Sequence, residues 1–419
     1  MNRKFARSLQ GQAALSIFDQ AWLSMLNLVL GLVLIRMASK DAYGMYSQLY
    51  VIGLFVTSVI EAVIVNPMVN VLAGRQGQAA APVIEILRRH QGKLSTVLAI
   101  VMGIACSAVA YSTGHGSPVA LGVVFTLFLK GNALREYARS VSFVAGQPAR
   151  VLKMDLAYGL CAGGGLALLA VAGSLGPGGG FPIEGVFACL ALANLAALAF
   201  GPRRPRDLAI DPAHYVQIVR EAWKRGRLGL PGAVLAWIVN YSYLYLAAFW
   251  LGAQATAELN ASRILLVPIS LLVVAWSRVA RPAMGNMIAR DATVELRRLL
   301  RFSLLALLLL TAVYVAVLWL GLPWLQAHLL GEKYDHAGAL VPIWSLYFAI
   351  NAARWVGTVA LMGRDRYGFM LVESVISFAV MVVALAMAMP LYGVVGALLA
   401  LIVVEFLSLL MTWGIYVRA

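Results

Sequence analysis

The amino-acid sequence predicts an all-α polytopic membrane protein, with about twelve transmembrane helices in two pseudo-symmetric six-helix bundles around a central cavity. Three observations predict it. Of 419 residues, 62% are hydrophobic and only 12% charged, and mean hydropathy is +0.83, so no water-soluble surface can be assembled from this chain. Apolar runs long enough to cross a bilayer, about 20 residues each, recur along the whole length with short polar breaks. The chain also resembles itself at an offset of 215 residues.

In order, the first six runs cover 13–37, 44–73, 94–113, 118–143, 154–175 and 183–200, and the second six cover 228–251, 256–288, 302–322, 338–362, 368–389 and 391–417. The first begins after Arg3, Lys4 and Arg7 and holds Asp19, with no compact apolar core or small-residue cleavage site, and reads as a retained span.

An even number of spans puts both termini on one side, and charge says which. Even-numbered connections carry Arg75, Arg88, Arg89 and Lys93, then Arg150 and Lys153, then Arg203, Arg204, Arg206, Arg220, Lys224, Arg225 and Arg227. Arg290, Arg297, Arg298 and Arg301 follow, then Arg364 and Arg366, whereas odd-numbered connections offer little beyond Lys40 and Lys333. Both termini are therefore expected in the cytoplasm, with short, nearly neutral outer loops. The net charge of +15, from 33 Lys and Arg against 18 Asp and Glu, is accounted for as a topological signal rather than nucleic-acid binding.

At the 215-residue offset Trp22 falls on Trp237, Ser47 on Ser262, Pro67 on Pro282 and Arg75 on Arg290. Six spans per half give the halves the same orientation, about an axis along the membrane normal. The expected organisation is an N-terminal bundle over 1–200, a cytoplasmic linker over 201–227 and a C-terminal bundle over 228–419. In the linker, Asp211-Pro212 fits a helix cap and first-turn proline, and Tyr215, Ile218, Val219 and Trp223 share one face, which predicts an amphipathic helix on the inner leaflet.

Marks of enzymatic or cofactor chemistry are missing from the sequence. There is no Gly-rich Lys-Ser/Thr phosphate loop, the five histidines have no metal spacing, and Cys106, Cys161 and Cys189 lie singly inside spans. No catalytic residue, cofactor or metal is expected. Gly163 to Gly165 and Gly178 to Gly180 fit close helix packing and an outer turn.

What remains is charge inside the spans: Asp19, Glu61, Lys130, Arg135, Glu136, Arg139, Arg263, Arg278, Arg281, Arg354, Glu373 and Glu405. Each costs about 2.5–3.5 kcal/mol at the bilayer centre, so these residues either line a water-filled cavity or pair. Arg135 and Arg139 are four apart and share a face, as do Arg278 and Arg281, with Arg263 about 60° away on the same span. Arg354 shares a face with Asn351. A cationic chamber follows, with Arg278 and Arg354 carrying most of its attraction and Arg135, Lys130, Arg263, Arg281 and Arg139 contributing. Arg139 and Arg281 lie near inner ends and read equally as snorkelling anchors. Glu61, Asp19 and Glu373 are candidates for pairing or for proton or sodium coupling. Pro67 and Pro282, at matching repeat positions, are expected to bend equivalent helices as hinges.

Leu30-Gly31-Leu32 running to Arg36, then Asp41-Ala42-Tyr43-Gly44-Met45-Tyr46, resembles the Leu-Gly-Pro-Glu-Glu-Tyr-Gly-Leu-Tyr turn of the polysaccharide or O-antigen (Wzx-like) flippases. Gly363-Arg364-Asp365-Arg366 is similar to that family's Gly-Arg-x-Arg ending, and Ser39-Lys40 departs from its frequent Gly-Pro. These flippases belong to the multidrug/oligosaccharidyl-lipid/polysaccharide (MOP) exporter superfamily, and the resemblance covers essentially the full chain. It implies a MATE-like fold and alternating-access flipping of undecaprenyl-diphosphate-linked oligosaccharides to the outer leaflet for polysaccharide biosynthesis. The implied partners are that lipid-linked oligosaccharide, membrane lipids and polysaccharide polymerase or export proteins.

Arginine suits such cargo, since it is always ionised and grips phosphate or carboxylate with two parallel hydrogen bonds. Two alternatives stand beside it. A MATE-like multidrug exporter shares the fold but favours cationic drugs, which an arginine-rich chamber repels. A membrane-embedded glycosyltransferase or polymerase needs an outer aqueous site, for which the short connection holding Asp335 and His336 is the one available place.

Overall fold

A computed structural model describes residues 3–72, 80–114, 116–175, 182–202, 210–334, 337–364 and 366–418. Among these the backbone is helical or in turns and contains no strand. The helices of the first half are α1 (Arg3–Met37), α2 (Lys40–Ile60), α3 (Asn66–Leu72), α4 (Ala80–Thr113), α5 (Pro118–Val144), α6 (Pro148–Leu175) and α7 (Ile183–Leu198). The second half follows with α8 (Pro212–Leu251), α9 (Ala253–Ile264), α10 (Val267–Ala289), α11 (Thr293–Leu325), α12 (Ala337–Gly363) and α13 (Tyr367–Arg418).

The protein is a multi-pass membrane protein. Among the described residues eight helical runs are long and apolar enough to cross a bilayer, and a ninth is added if the bent pair α9–α10 counts as one. The other expected spans fall on the short α7, on α12 and on a division of α13. At 1.5 Å per residue the 52 residues of α13 would extend about 78 Å, more than twice a hydrocarbon core of ~30 Å. The division is at Gly393, whose φ of 57° and ψ of −131° interrupt the helix. Lipid-facing surfaces are apolar: α11 exposes Leu305, Leu309 and Leu320.

Local chemistry sets several boundaries. The Ser39 hydroxyl accepts from Ala42 N at 3.1 Å and starts α2. The Asp211 carboxylate accepts from His214 N at 3.2 Å ahead of Pro212, the cap and first-turn proline expected there. Gly103 and Gly122 let α4 and α5 cross closely; a Cβ on either would lie 2.9 or 2.7 Å from the other's carbonyl oxygen.

The chain forms two compact units. The first comprises Met1–Leu30, Met37–Ala42 and Leu49–Trp237, and the second Gly31–Arg36, Tyr43–Gln48 and Ile238–Ala419. In the first, Val63, Met68, Ile86, Leu87 and Tyr137 form a core with Ile218 and Ala222 of α8. In the second, Met284, Leu300, Val356 and Ala360 do so. The second unit also takes in the adjoining ends of α1 and α2: Lys333 donates to Ile35 O at 3.1 Å, and Asn260 donates to Tyr43 Oη at 2.9 Å and Ser47 Oγ at 2.8 Å.

Two sequence expectations change here. The linker helix does not present its apolar face to a leaflet; α8 runs unbroken into the seventh span, and Ile218 is fully buried on the core of the first unit while Trp223 stays exposed. Of its apolar stripe, Tyr215, Ile218 and Val219 pack on that core and Trp223 does not. The hinges also do not fall at both prolines. A π turn, Glu61–Val65, precedes Pro67, with Asn66 N donating to Glu61 O, but α10 passes through Pro282 without a break. The bend in the second half is 52°, between Ala253–Ile264 and Val267–Ser277. It falls where Pro268 stands in the first turn of α10 and cannot donate to the preceding helix.

Candidate functional site

In the first unit, α1, α5 and α6 bring five charged groups together. Arg135 Nη1 donates to Asp155 Oδ1 at 2.9 Å and Arg139 Nε to Asp155 Oδ2 at 2.7 Å, so both arginines use their shared helical face on one carboxylate. Arg139 also reaches Glu136 Oε2 at 2.7 Å and Asp19 Oδ2 at 3.2 Å, and Arg135 reaches Glu136 Oε1 at 2.9 Å. The Arg135 guanidinium lies 4.0 Å from the Tyr158 ring centroid. Trp22 holds the backbone by donating to Asp155 O at 2.9 Å. Two arginines thus face three carboxylates, and Asp19 Oδ1 is buried without a hydrogen-bond partner. With every group ionised, the cluster carries one carboxylate in excess of its arginines. Glu61, exposed, lies within electrostatic reach of Glu136 and Arg139.

The second unit repeats the excess of acid. Arg354 Nε donates to Glu405 Oε1 at 2.5 Å, Asn351 Nδ2 to the same oxygen at 2.9 Å, and Arg354 Nη1 lies 3.9 Å from Glu373. Arg354 and Asn351 do share a face, and both spend it on Glu405.

Arg263 differs. Among the described residues it has no carboxylate partner; its Nη1 donates to Tyr243 Oη at 3.2 Å, and its guanidinium lies 5.5 Å from the Tyr241 ring and 5.8 Å from Trp344. Ser262 beside it is fixed to Trp344 Nε1 at 3.0 Å, which ties α9 to α12. Tyr347 interacts electrostatically with both Arg263 and Arg354, linking the lone cation to the acid pair. Aromatic faces hold the charge without neutralising it, and leave guanidinium N–H groups for an anion.

The other expected residues are dispersed. Lys130 points to α4, donating to Gly92 O at 2.5 Å and Ser95 Oγ at 2.9 Å, away from the Arg135 cluster. Arg281 is exposed in the second half of α10. Arg278 lies on α10, but its side chain is outside the described residues, as are the side chain of Pro282, the residues Asp335 and His336, and Gly178 to Gly180. Cys106, Cys161 and Cys189 are free thiols; Gly165 packs against Cys189, while Gly163 and Gly164 have no such neighbour. Among the described residues no group of three or more His, Cys, Asp or Glu is arranged to hold a metal.

Sequence reasoning missed Asp155 and the tyrosines. Asp155 sits at the start of the fifth apolar run, two residues from Lys153, and reads as part of a charged connection. Its signal was the hairpin: Arg139 and Asp155 lie nearly equidistant from Gly146 in the α5–α6 turn, so antiparallel helices must bring them level.

No protein-family model matches the chain, and no curated protein sequence does either. Solved structures do. An inward-facing multidrug resistance MATE family transporter of the MOP superfamily superposes with a TM-score of 0.72 at 13% identity, covering 94% of each chain. The fold is MATE-like. A MOP superfamily transporter from Pyrococcus furiosus Vc1 (DSM3638), described as having a binding pocket of reverse polarity that suggests a different function, gives 0.65 at 14% identity, over 98% of this chain and 95% of its own. The Vibrio cholerae MATE transporter VcmN, as a point mutant, gives 0.63 at 14% identity, over 99% and 97%.

Proposed function

We propose that this protein is a MOP-type transporter that flips an anionic, polyprenyl-diphosphate-linked oligosaccharide across a bacterial cytoplasmic membrane by alternating access. Arg263 carries the reading. It is a permanently charged group within a membrane span, held by Tyr241, Tyr243 and Trp344 and matched by no described carboxylate. A cation kept unpaired at that cost has use for an anionic partner. The MATE-like fold supports transport, and the resemblance of the Asp41 to Tyr46 turn and of Gly363 to Arg366 to polysaccharide flippases supports the cargo. Arg135, Arg139 and Arg354, expected to attract the head group, are engaged by carboxylates and act as cargo ligands only after exchanging partners. In this reading both termini are cytoplasmic, the polyprenyl tail stays in lipid, and polymerase or export proteins receive the product.

A second reading rests on the surplus carboxylates. Three acids against two arginines in the first unit, and Glu373 with Glu405 against Arg354 in the second, suit an ion-coupled exporter of cations. Within the flippase reading the same groups are the coupling site, with Asp19 the group that takes up the ion.

The deciding experiment deletes the gene and maps lipid-linked glycans with an impermeant glycan-modifying enzyme on right-side-out vesicles. Complete repeat units trapped on the inner leaflet, released by the wild-type gene and not by Arg263→Gln, are the expected result. Unchanged glycans with altered drug sensitivity favour the exporter, and incomplete glycans an enzyme.

A further inference from the structure

A cavity of about 310 Å³ opens in the first unit, between the first turns of α4, the second half of α5 and the end of α7. It shares no residue with the ion clusters described above. Its walls are Ile84, Leu134, Val141 and Leu198, and the polar group among them is already satisfied, since Tyr137 Oη donates to Ile84 O at 2.7 Å. Its charged lining is the pair Glu85 and Arg88. Arg88 grips Glu85 through Nε and Nη2, both at 2.6 Å, and Arg89 Nε donates to the same carboxylate at 2.9 Å. Two arginines thus share one acid, which leaves a net positive charge at the cavity and the Nη1 group of Arg88 outside the pair. Arg88 keeps 30% and Arg89 49% of its side chain exposed, so both can meet a ligand from outside.

We propose that this cavity binds an anionic phospholipid of the inner leaflet, with a hydrocarbon chain between α4, α5 and α7 and its phosphate against Arg88 and Arg89. Each part of the occupant follows from a part of the cavity. Apolar walls in a membrane protein are filled by hydrocarbon, because water placed there would have no polar partners. The charge surplus selects an anionic over a zwitterionic head group, and a guanidinium fork fits phosphate oxygens. Basic connections place this end of α4 on the inner side, where anionic lipids meet basic pockets between helices. Free phosphate would satisfy the arginines but leave the apolar walls unused. The proposal does not depend on what the protein transports.

The test uses the full chain purified in neutral detergent, titrated with phosphatidylglycerol and phosphatidylcholine of equal chain length and read by native mass spectrometry. Phosphatidylglycerol should be retained in preference. Arg88→Gln should weaken its retention about fivefold, the value of one surface arginine. Glu85→Gln, which releases both arginines, should strengthen it by a similar factor, a gain that misfolding cannot mimic. Ala81→Trp, which fills the cavity from the half-buried start of α4, should reduce retention of both lipids. Equal retention of the two lipids by the wild type, or indifference to Arg88→Gln and Ala81→Trp, overturns the proposal. Displacement by inorganic phosphate overturns it in favour of a phosphate site, and stronger displacement by polyprenyl phosphate in favour of a cargo site.

Discussion

Arg354 and Glu405 form a charge-assisted hydrogen bond of 2.5 Å between α12 and the last span, with 17% and 10% of their side chains exposed. Removing one member leaves the other without its strongest partner in a low-dielectric interior, whereas replacing both with apolar residues, with Glu373 of the same cluster neutralised as well, strands no charge. Glu405→Gln is therefore expected to destabilise the protein by about 3–5 kcal/mol, and Arg354→Met with Glu405→Leu, made in a Glu373→Gln background, to restore most of that. Denaturant unfolding of the purified protein in detergent checks both; a double variant as unstable as the single one would mean that the pair contributes more than mutual neutralisation.

Arg263 should behave in the opposite way. Its removal orphans no described acid and forfeits one bond to Tyr243 and two ring contacts. Arg263→Gln is expected to unfold later in denaturant than Arg354→Gln, yet to lower transport about tenfold or more, as expected from losing a ~1.5–3 kcal/mol charge-assisted bond to cargo. Unfolding midpoints read the first effect and vesicle flipping assays at equal expression the second. Wild-type flipping by Arg263→Gln would remove Arg263 from the cargo path.

This contrast also marks how far sequence reasoning reached. Class and span positions were legible because burying apolar residues in lipid leaves a signal in every run, and the repeat was legible because its partners keep like bonds. Ser47 donates back to Tyr43 O at 2.8 Å and its equivalent Ser262 to Glu258 O at 2.7 Å. Helical spacing also placed Arg135 with Arg139, and Asn351 with Arg354. What spacing could not supply was the partner on another helix. Arg263 and Arg354 are alike as intramembrane arginines, and only packing separates the one among tyrosines from the one on Glu405. Pro67 and Pro282 were likewise equivalent in sequence, but a proline breaks a helix only where its neighbours leave room for the freed carbonyl.

Asp155 should be the most sensitive position of the first unit. Both its oxygens accept from arginine and its side chain is fully buried. Asp155→Asn leaves Arg135 and Arg139 to Glu136 and the more distant Asp19 and weakens one charge-assisted bond of each arginine, with an expected loss of about 3–5 kcal/mol. Asp19 accepts one bond, at 3.2 Å, and its other oxygen is unpartnered, so Asp19→Asn is expected to fold. If Asp19 is the coupling group, flipping by Asp19→Asn no longer responds to an imposed proton or sodium gradient. Retained gradient dependence would assign coupling elsewhere, with Glu373 next to test.

The π turn in the second span depends on a residue far along the chain. A Cβ on Gly226 would lie 2.7 Å from Val63 Cα and 2.9 Å from Ala62 O, backbone atoms that cannot rotate aside. Both belong to Glu61–Val65, so α8 docks on the turn by the closeness that a glycine permits. Gly226→Ala must push the helices apart or straighten the turn, at about 1–3 kcal/mol for overpacking. Hydrogen exchange locates the effect: amides of 61–66 should exchange faster in Gly226→Ala, while those around Gly393 stay as in the wild type. Gly229→Ala is the control, since its Cβ would meet Ala62 O only at 4.0 Å. Equal exchange in the two variants would show that the π turn is set by its own sequence before Pro67 rather than by α8.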